Sequence, residues 1–250
     1  MTGLRQVAAR RLVALAGVMA CLPAAGQAAA GAASAPSTLV SYSFDDTLDT
    51  GPDTVAVFRG GKGDVRLSAA FHVSGYRSVE LRDVAGDGQF PELQGYFSLR
   101  RAGRLYLHFA FLTTDPKEEM NAALAGPHSF QMEGDGIAFW LATRQGTLVH
   151  VSDSIPKKLF APEPFVWYTT DVEYDIDAGR YDLTIRREGR DAPLVALRSQ
   201  PNATSHPGSA VDKFSFVGSP AGDASNVVFY VDDVVVASSR ADVPRGFVAP

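Results

Sequence analysis

Gly134-Asp135-Gly136-Ile137-Ala138-Phe139-Trp140-Leu141-Ala142, then Phe165-Val166-Trp167-Tyr168, then Asp177-Ala178-Gly179-Arg180 are the stretches whose reading decides the fold. The first is an Asp-Gly turn feeding an apolar run, and the last is a turn between two alternating runs. Side chains in a strand point alternately to opposite faces. Val166, Tyr168, Thr170, Val172, Tyr174 and Ile176 therefore share a core-facing side, and Phe165, Trp167, Thr169, Asp171, Glu173 and Asp175 share the other. With Asp177 to Arg180 as the loop, Tyr174 pairs with Leu183, Val172 with Ile185 and Asp171 with Arg186, which keeps apolar beside apolar.

Outward from this hairpin, short alternating segments recur between Gly, Pro, Asp and Asn. The expected strands are 38–44, 54–58, 64–73, 77–82, 93–99, 104–113, 128–133, 136–143, 147–152, 165–176, 181–188, 193–198, 212–217 and 226–237. Within 104–113, Leu105, Leu107, Phe109 and Phe111 share one face, while Tyr106 and His108 share the other. That is the pattern of a half-buried antiparallel strand. One short loop helix is predicted after Thr114 or Asp115, with Pro116 in its first turn, Glu118 and Glu119 at its positive end and Gly126 as its stop. There is no repeat and no second domain, so the strands close into a sandwich or barrel.

The run Asp135 to Ala142 resembles the Asp-Gly-Leu-Ala-Phe-Phe-Leu-Ala strand of L-type lectins, and the hairpin resembles those of concanavalin A-like sandwiches, lectin-like or laminin-G-like. The resemblance implies an all-β, concanavalin A-like jelly-roll β-sandwich of two antiparallel sheets over 38–238. It implies sugar contact by Asp135 and Gly136, since a carboxylate accepts from two vicinal hydroxyls at once. Val217 to Gly222 is similar to the lectins' second sugar loop. The lectins' metal-binding strand has no counterpart, because Thr147 to Ser152 reads Thr-Leu-Val-His-Val-Ser. Trp140 and Trp167, with Phe90 and Tyr96, are candidates for stacking on sugar rings.

Two further constellations carry chemistry. Asp171-x-Glu173-x-Asp175 sets three carboxylates on one strand face, and glycoside hydrolysis needs two carboxyl groups. Laminarinase-like glucanases carry Glu-x-Asp-x-Glu on such a strand. Here the order is Asp-Glu-Asp, and the plain alternative is a solvated face with a cross-strand pair to Arg186. Secondly, Tyr42-Ser43-Phe44-Asp45-Asp46, Val73-Ser74-Gly75-Tyr76 and Tyr230-Val231-Asp232-Asp233 resemble the calcium-tied ends of carbohydrate-binding jelly rolls. Asp45, the Gly75 turn and Asp232 are the expected metal ligands, because calcium takes six to eight hard oxygens. The alternative is Asp-rich turns. The histidines show no metal spacing, and no serine elbow or phosphate loop is present.

The ends and composition bound the rest. Arg5, Arg10 and Arg11 precede an uncharged run and small residues at Ala28 to Ala30, the layout of an export signal over 1–30. Cys21, the single cysteine, is either lost with the signal or carries a lipid. Losing the three arginines takes the net charge from −5 to −8, which excludes nucleic acid as a natural partner. Residues 31–37 read as a tether and 239–250 as a loose tail. The expectation is an exported, periplasmic or extracellular glycan-binding module contacting ligand through Asp135, Gly136, Trp140 and Trp167. The alternatives are a polysaccharide hydrolase or lyase using Asp171, Glu173 and Asp175, and a structural or adhesion module.

Overall fold

The computed structural model describes residues 37–48, 55–58, 62–84, 86, 90–127, 136–204, 210–219 and 228–247. In chain order the strands are β1 (Thr38–Tyr42), β2 (Val55–Phe58), β3 (Asp64–Ser68), β4 (Ser78–Arg82), β5 (Glu92–Arg100), β6 (Arg104–Thr113), β7 (Glu119–Ala125) and β8 (Ile137–Arg144). They continue with β9 (Thr147–Ser152), β10 (Ile155–Phe160), β11 (Tyr168–Asp175), β12 (Arg180–Arg187), β13 (Val195–Pro201), β14 (Val211–Ser219) and β15 (Val228–Ala237). Sheet A runs β13-β12-β11-β6-β15-β4-β3, and sheet B runs β10-β9-β8-β7-β14-β5-β2. Neighbouring strands are antiparallel throughout, as expected.

Alternation builds the core. Leu105, Leu107, Phe109 and Phe111 on β6 point inward with Tyr168, Val172 and Tyr174 on β11. They meet Phe139 and Leu141 of β8 and Phe214 and Phe216 of β14 from the other sheet. Phe109 packs edge-on against Phe216 with ring centroids 5.1 Å apart, which interlocks the two sheets. Burying each such ring contributes about 1.5–3 kcal/mol.

β15 is the hinge of sheet A's topology. Its first half, Val228 to Val231, pairs with β4, and its second half, Val234 to Ala237, pairs with β1. The change of partner falls at Asp232–Asp233, where the register against β6 also slips and Asp233 takes φ 51°. A bulge of this kind re-aims side chains.

Four sequence expectations are corrected. The segment expected as a loop helix is strand β7. Its Glu, Met and Ala favour helix locally, but Met120, Ala122 and Leu124 alternate into the core and pair with β14 on one side and β8 on the other. β10 was not expected. It is an exposed edge carrying Pro156, Lys157 and Lys158, residues that blunt an edge against further pairing and hide its period. In the hairpin, Tyr174 lies opposite Tyr181 and Asp171 opposite Thr184, one pair away from the expected register. Ile176 leaves the strand to enter the core, its N–H donating to Gly103 O, so the turn begins one residue early. Because the slip is two residues, each side chain keeps its expected face. Finally, the tail expected to be loose docks on sheet A as far as Phe247: Ser238 N donates to Ser37 O, Arg240–Asp242 makes a 3-10 turn, and Val243 packs on Val235, Ala237 and Tyr106. The expected strand 128–133 lies outside the described residues.

Candidate functional site

The outer face of sheet A divides along the strands. Towards one end, Ala110 and Leu112 of β6 and Tyr230 of β15 form an apolar patch with Trp167. Phe71, Val73 and Phe247 close over it. Trp167 is therefore buried at 4% exposure and cannot stack on a sugar from solvent, which corrects the expectation for that residue. Trp140 lies elsewhere, half-buried on the outer face of sheet B. Its Nε1 donates to Asn121 Oδ1 at 2.9 Å, and the Arg144 guanidinium sits 5.4 Å from the ring centroid. Gly136 enters β8 with φ 89°, and its carbonyl accepts from Gly126 N. Asp135 lies outside the described residues. The four expected sugar contacts are thus not gathered at one described surface.

Towards the other end the outer face is polar and open. A cleft of about 270 Å³ is lined by Tyr106, Asp171, Glu173, Thr184, Arg186 and Arg240, among others. Asp171 is at its floor, side chain 11% exposed. Its Oδ1 faces His108 Nδ1 at 2.8 Å, its Oδ2 accepts from the Arg186 guanidinium at 2.5 Å, and Arg240 stands 3.8 Å off. The expected Asp171–Arg186 pair forms across the diagonal, since diagonal cross-strand neighbours lie within reach of a long side chain. His108 is fully buried, and its Nε2 makes no hydrogen bond among the described residues. Glu173 pairs with Arg104 at 2.5 Å, and Asp182 with Arg198 at 2.7 Å. Asp175 is nearer the turn: its Oδ1 accepts from Ala178 N, and Arg104 is 3.7 Å away. The ladder is real, and each of its carboxylates has a guanidinium beside it.

The C-terminal segment makes one wall. Arg240 donates to Val243 O and Pro244 O, which rigidifies the turn, and Arg245 projects beyond it. Gly246 has φ 77°, which strains any residue with a Cβ, and a Cβ there would press on Arg186 Cδ at 3.2 Å, so glycine suits the chain where it crosses Arg186. A second cavity, about 470 Å³, adjoins on the far side and shares Arg186 and Arg245 with the first. Tyr106 and His108 were legible as one polar face of β6. Arg240 and Arg245 were not, because nothing periodic marks the segment that carries them.

The expected metal ligands meet at one loop. Asp45 Oδ1 accepts from Tyr76 N at 2.7 Å and Arg77 N at 3.2 Å. Gly75, at φ 58°, leaves no room for a Cβ beside the Asp45 carboxylate. From the other side, Asp232 accepts from Val73 N, Ser74 N and Asp233 N, while Ser74 Oγ donates to Asp233 Oδ1 at 2.6 Å. Burial pushes Asp232 up to about 7, against the pull of the Val73 N–H. Asp233 Oδ2 is buried without a hydrogen bond among the described residues. Among the described residues no three His, Cys, Asp or Glu side chains converge as a metal site. The first and last strands are thus tied to one loop by hydrogen bonds from its backbone.

No protein family model matches the chain, and no curated protein matches it. Solved structures do. A sialidase matches 83% of this chain at TM-score 0.60 and 9% identity, and the chain spans 19% of the sialidase's length. An endo-β-1,4-glucuronan lyase from the fungus Trichoderma reesei matches 75% of this chain and 92% of its own, at TM-score 0.55 and 13% identity. The lectin I-B4 from Griffonia simplicifolia, in its metal-free form, matches 79% of this chain and 98% of its own, at TM-score 0.51 and 12% identity. The fold is that of the concanavalin A-like sandwiches. At such identities the likeness extends to the fold alone. The proteins matched are a sialidase, a lyase and a lectin, so the fold does not choose an activity, and the choice rests on the residues of the cleft.

Proposed function

We propose that the protein is an exported glycan-binding module whose ligand lies in the cleft on the outer face of sheet A. One observation carries the reading: the cleft is lined by hydrogen-bonding groups already fixed by their neighbours, Asp171 between His108 and Arg186, Asp182 on Arg198 and Glu173 on Arg104. Sugar hydroxyls both donate and accept, and a rigid polar lining binds them without ordering costs of its own. The same geometry weighs against the hydrolase alternative. That chemistry needs two carboxyl groups free to reach the scissile bond, and here each carboxylate of the ladder is taken up by a guanidinium.

Export rests on the basic and apolar pattern of residues 1–30, and sequencing the mature N-terminus tests it. A structural calcium is part of the same proposal. It would be held at the Asp45, Gly75 and Asp232 junction, where Asp233 Oδ2 supplies a buried oxygen with no hydrogen bond among the described residues, and carbonyl oxygens would complete the shell. A chelator then lowers the melting temperature, while an unchanged Tm removes the ion.

The deciding experiment is retention of the mature protein on a panel of polysaccharides, with supernatants checked for released oligosaccharides. Retention lost in Arg186→Ala and kept in Asp135→Asn and Trp140→Ala places the ligand in the cleft. The opposite pattern moves it to the Asp135 turn and sheet B. Release of oligosaccharides favours the hydrolase or lyase, and no retention leaves a structural or adhesion module.

A further inference from the structure

The two cavities on sheet A make one groove, with Arg186 and Arg245 at the boundary they share. These two guanidinium groups differ. Arg186 is spent on Asp171, and Gly246 passes directly over its stem. Arg245 is exposed and has no ion pair or hydrogen bond among the described residues. Arg240 is spent on the carbonyls of its own turn and on Asp171. The turn that bounds the second cavity carries Glu188, Arg190 and Asp191, two acids to one base, so an anionic group is held off the turn and towards Arg245. Arg190, also exposed and with its guanidinium unpaired among the described residues, sits between the two acids of that turn, whereas Arg245 stands at the boundary of the two cavities. On a chain whose net charge is −5, an open arginine in the wall of a cleft is a directed feature rather than a sample of the surface.

The second cavity adds an apolar lining. Val73 and Phe247 face it, and both pack on the cluster that also holds Phe71. Phe71 in turn lies 5.8 Å, ring to ring, from Phe165. Phe165 has φ 60°, a conformation that costs a bulky residue about 1–3 kcal/mol, yet its ring is 57% exposed. The Phe165 N–H to Thr113 O hydrogen bond holds the strained backbone in place. An aromatic ring held in solvent at a cost in strain, next to Phe71 and outside the lining of either cavity, is suited to the C–H face of a pyranose that extends beyond the groove.

Resting on the glycan-binding reading above, we infer that the ligand is an acidic polysaccharide of the polyuronate type, which runs through both cavities, sets one sugar carboxylate on Arg245 and stacks a neighbouring ring on Phe71 and Phe165. A planar carboxylate is the partner that a guanidinium fork matches with two parallel hydrogen bonds.

The test compares a polyuronate with the same polymer after chemical reduction of its carboxyl groups, by titration calorimetry on the mature protein and its variants. Carboxyl reduction weakens binding by about tenfold or more, and Arg245→Ala removes most of that difference, as expected for one charge-assisted bidentate contact. Arg245→Lys retains charge without the fork and falls between. Phe165→Ala weakens both polymers alike, because stacking does not depend on the carboxylate. Unchanged melting temperatures in the Arg245 variants separate recognition from folding. Equal affinity for the reduced and native polymers, or an Arg245→Ala variant that still distinguishes them, overturns the inference and leaves a neutral-glycan module standing. A sulfated dextran bound as tightly as the polyuronate, with or without Arg245, overturns it in favour of general polyanion attraction. Failure of every glycan to bind overturns the glycan reading itself.

Discussion

The two ends of sheet A's outer face are built by the same strands and end up opposite in character. At one end Leu112, Trp167 and Tyr230 lie under Phe71 and Phe247; at the other, Tyr106, Asp171 and Arg186 line an open polar cleft. The switch occurs within β6 between His108 and Ala110 and within β11 between Asp171 and Thr169, which are paired across the two strands. Strand alternation decides only that these side chains leave the core. Whether they become a site or a second, smaller core depends on which of them a loop can cover. The loop after β3 covers the apolar end because its own Phe71 and Val73 gain by burial there, and a row of ion-paired carboxylates offers such a loop nothing.

Breaking the sealed end should have the largest effect. Trp167→Ala is expected to destabilise the fold by about 3–5 kcal/mol, as for other buried aromatic truncations, read from urea unfolding. A cost below about 1 kcal/mol would show that the patch is solvated and the contrast between the ends false. The interior gives a second reference. His150 is buried between the sheets with Nδ1 2.7 Å from Tyr181 Oη, and burial pushes its pKa from 6.5 down to about 4. The unfolded chain therefore takes up the proton first, and stability falls as pH drops from about 6.5 towards 4, by roughly 3 kcal/mol in total. His150→Gln should flatten that stretch of the pH–stability curve. If the curve keeps its slope in the variant, the acid sensitivity belongs to another group.

The open end should respond less. Asp171→Asn removes the counter-charge of Arg186 and one partner of His108, at a cost of about 1–3 kcal/mol that 1 M salt reduces. Full retention of stability would mean that the cleft floor is not held by this carboxylate. Glu173→Gln should be within about 0.5 kcal/mol of the parent, because its partner Arg104 is 57% exposed and such pairs contribute little. A larger loss would extend the rigid part of the cleft up to its rim.

These contrasts also show what the sequence could carry. The assignment of Asp171, Glu173 and Asp175 to one outer face needed only a period of two, and it survived a register slip in the hairpin because the slip was an even number of residues. The same periodicity left a sandwich or a barrel open, and the resemblance of Asp135 to Ala142 to the lectin strand chose the sandwich. Trp167 shares that outer face, yet it is buried, since its cover comes from Phe71 and Phe247, far away in the chain. Arg240 and Arg245 were illegible for the same reason. Their segment has no period, and a single Val243 settling on Val235 and Ala237 brings it to the cleft. β7 was misread because its alanines and glutamate favour helix, while its pairing with β14 and β8 decides otherwise.

The position of β15 has a consequence for the order of events as the chain emerges. It is the last strand of the sandwich and yet a central one, bonded to β6 along one edge and to β4 and β1 along the other. A nascent chain that stops short of Val228 has β4 and β6 but nothing to lie between them. Sheet A therefore closes late, through contacts between distant parts of the sequence, and such topologies fold slowly. Until β15 is made, sheet A stays in two pieces, β13-β12-β11-β6 on one side and β4-β3 on the other.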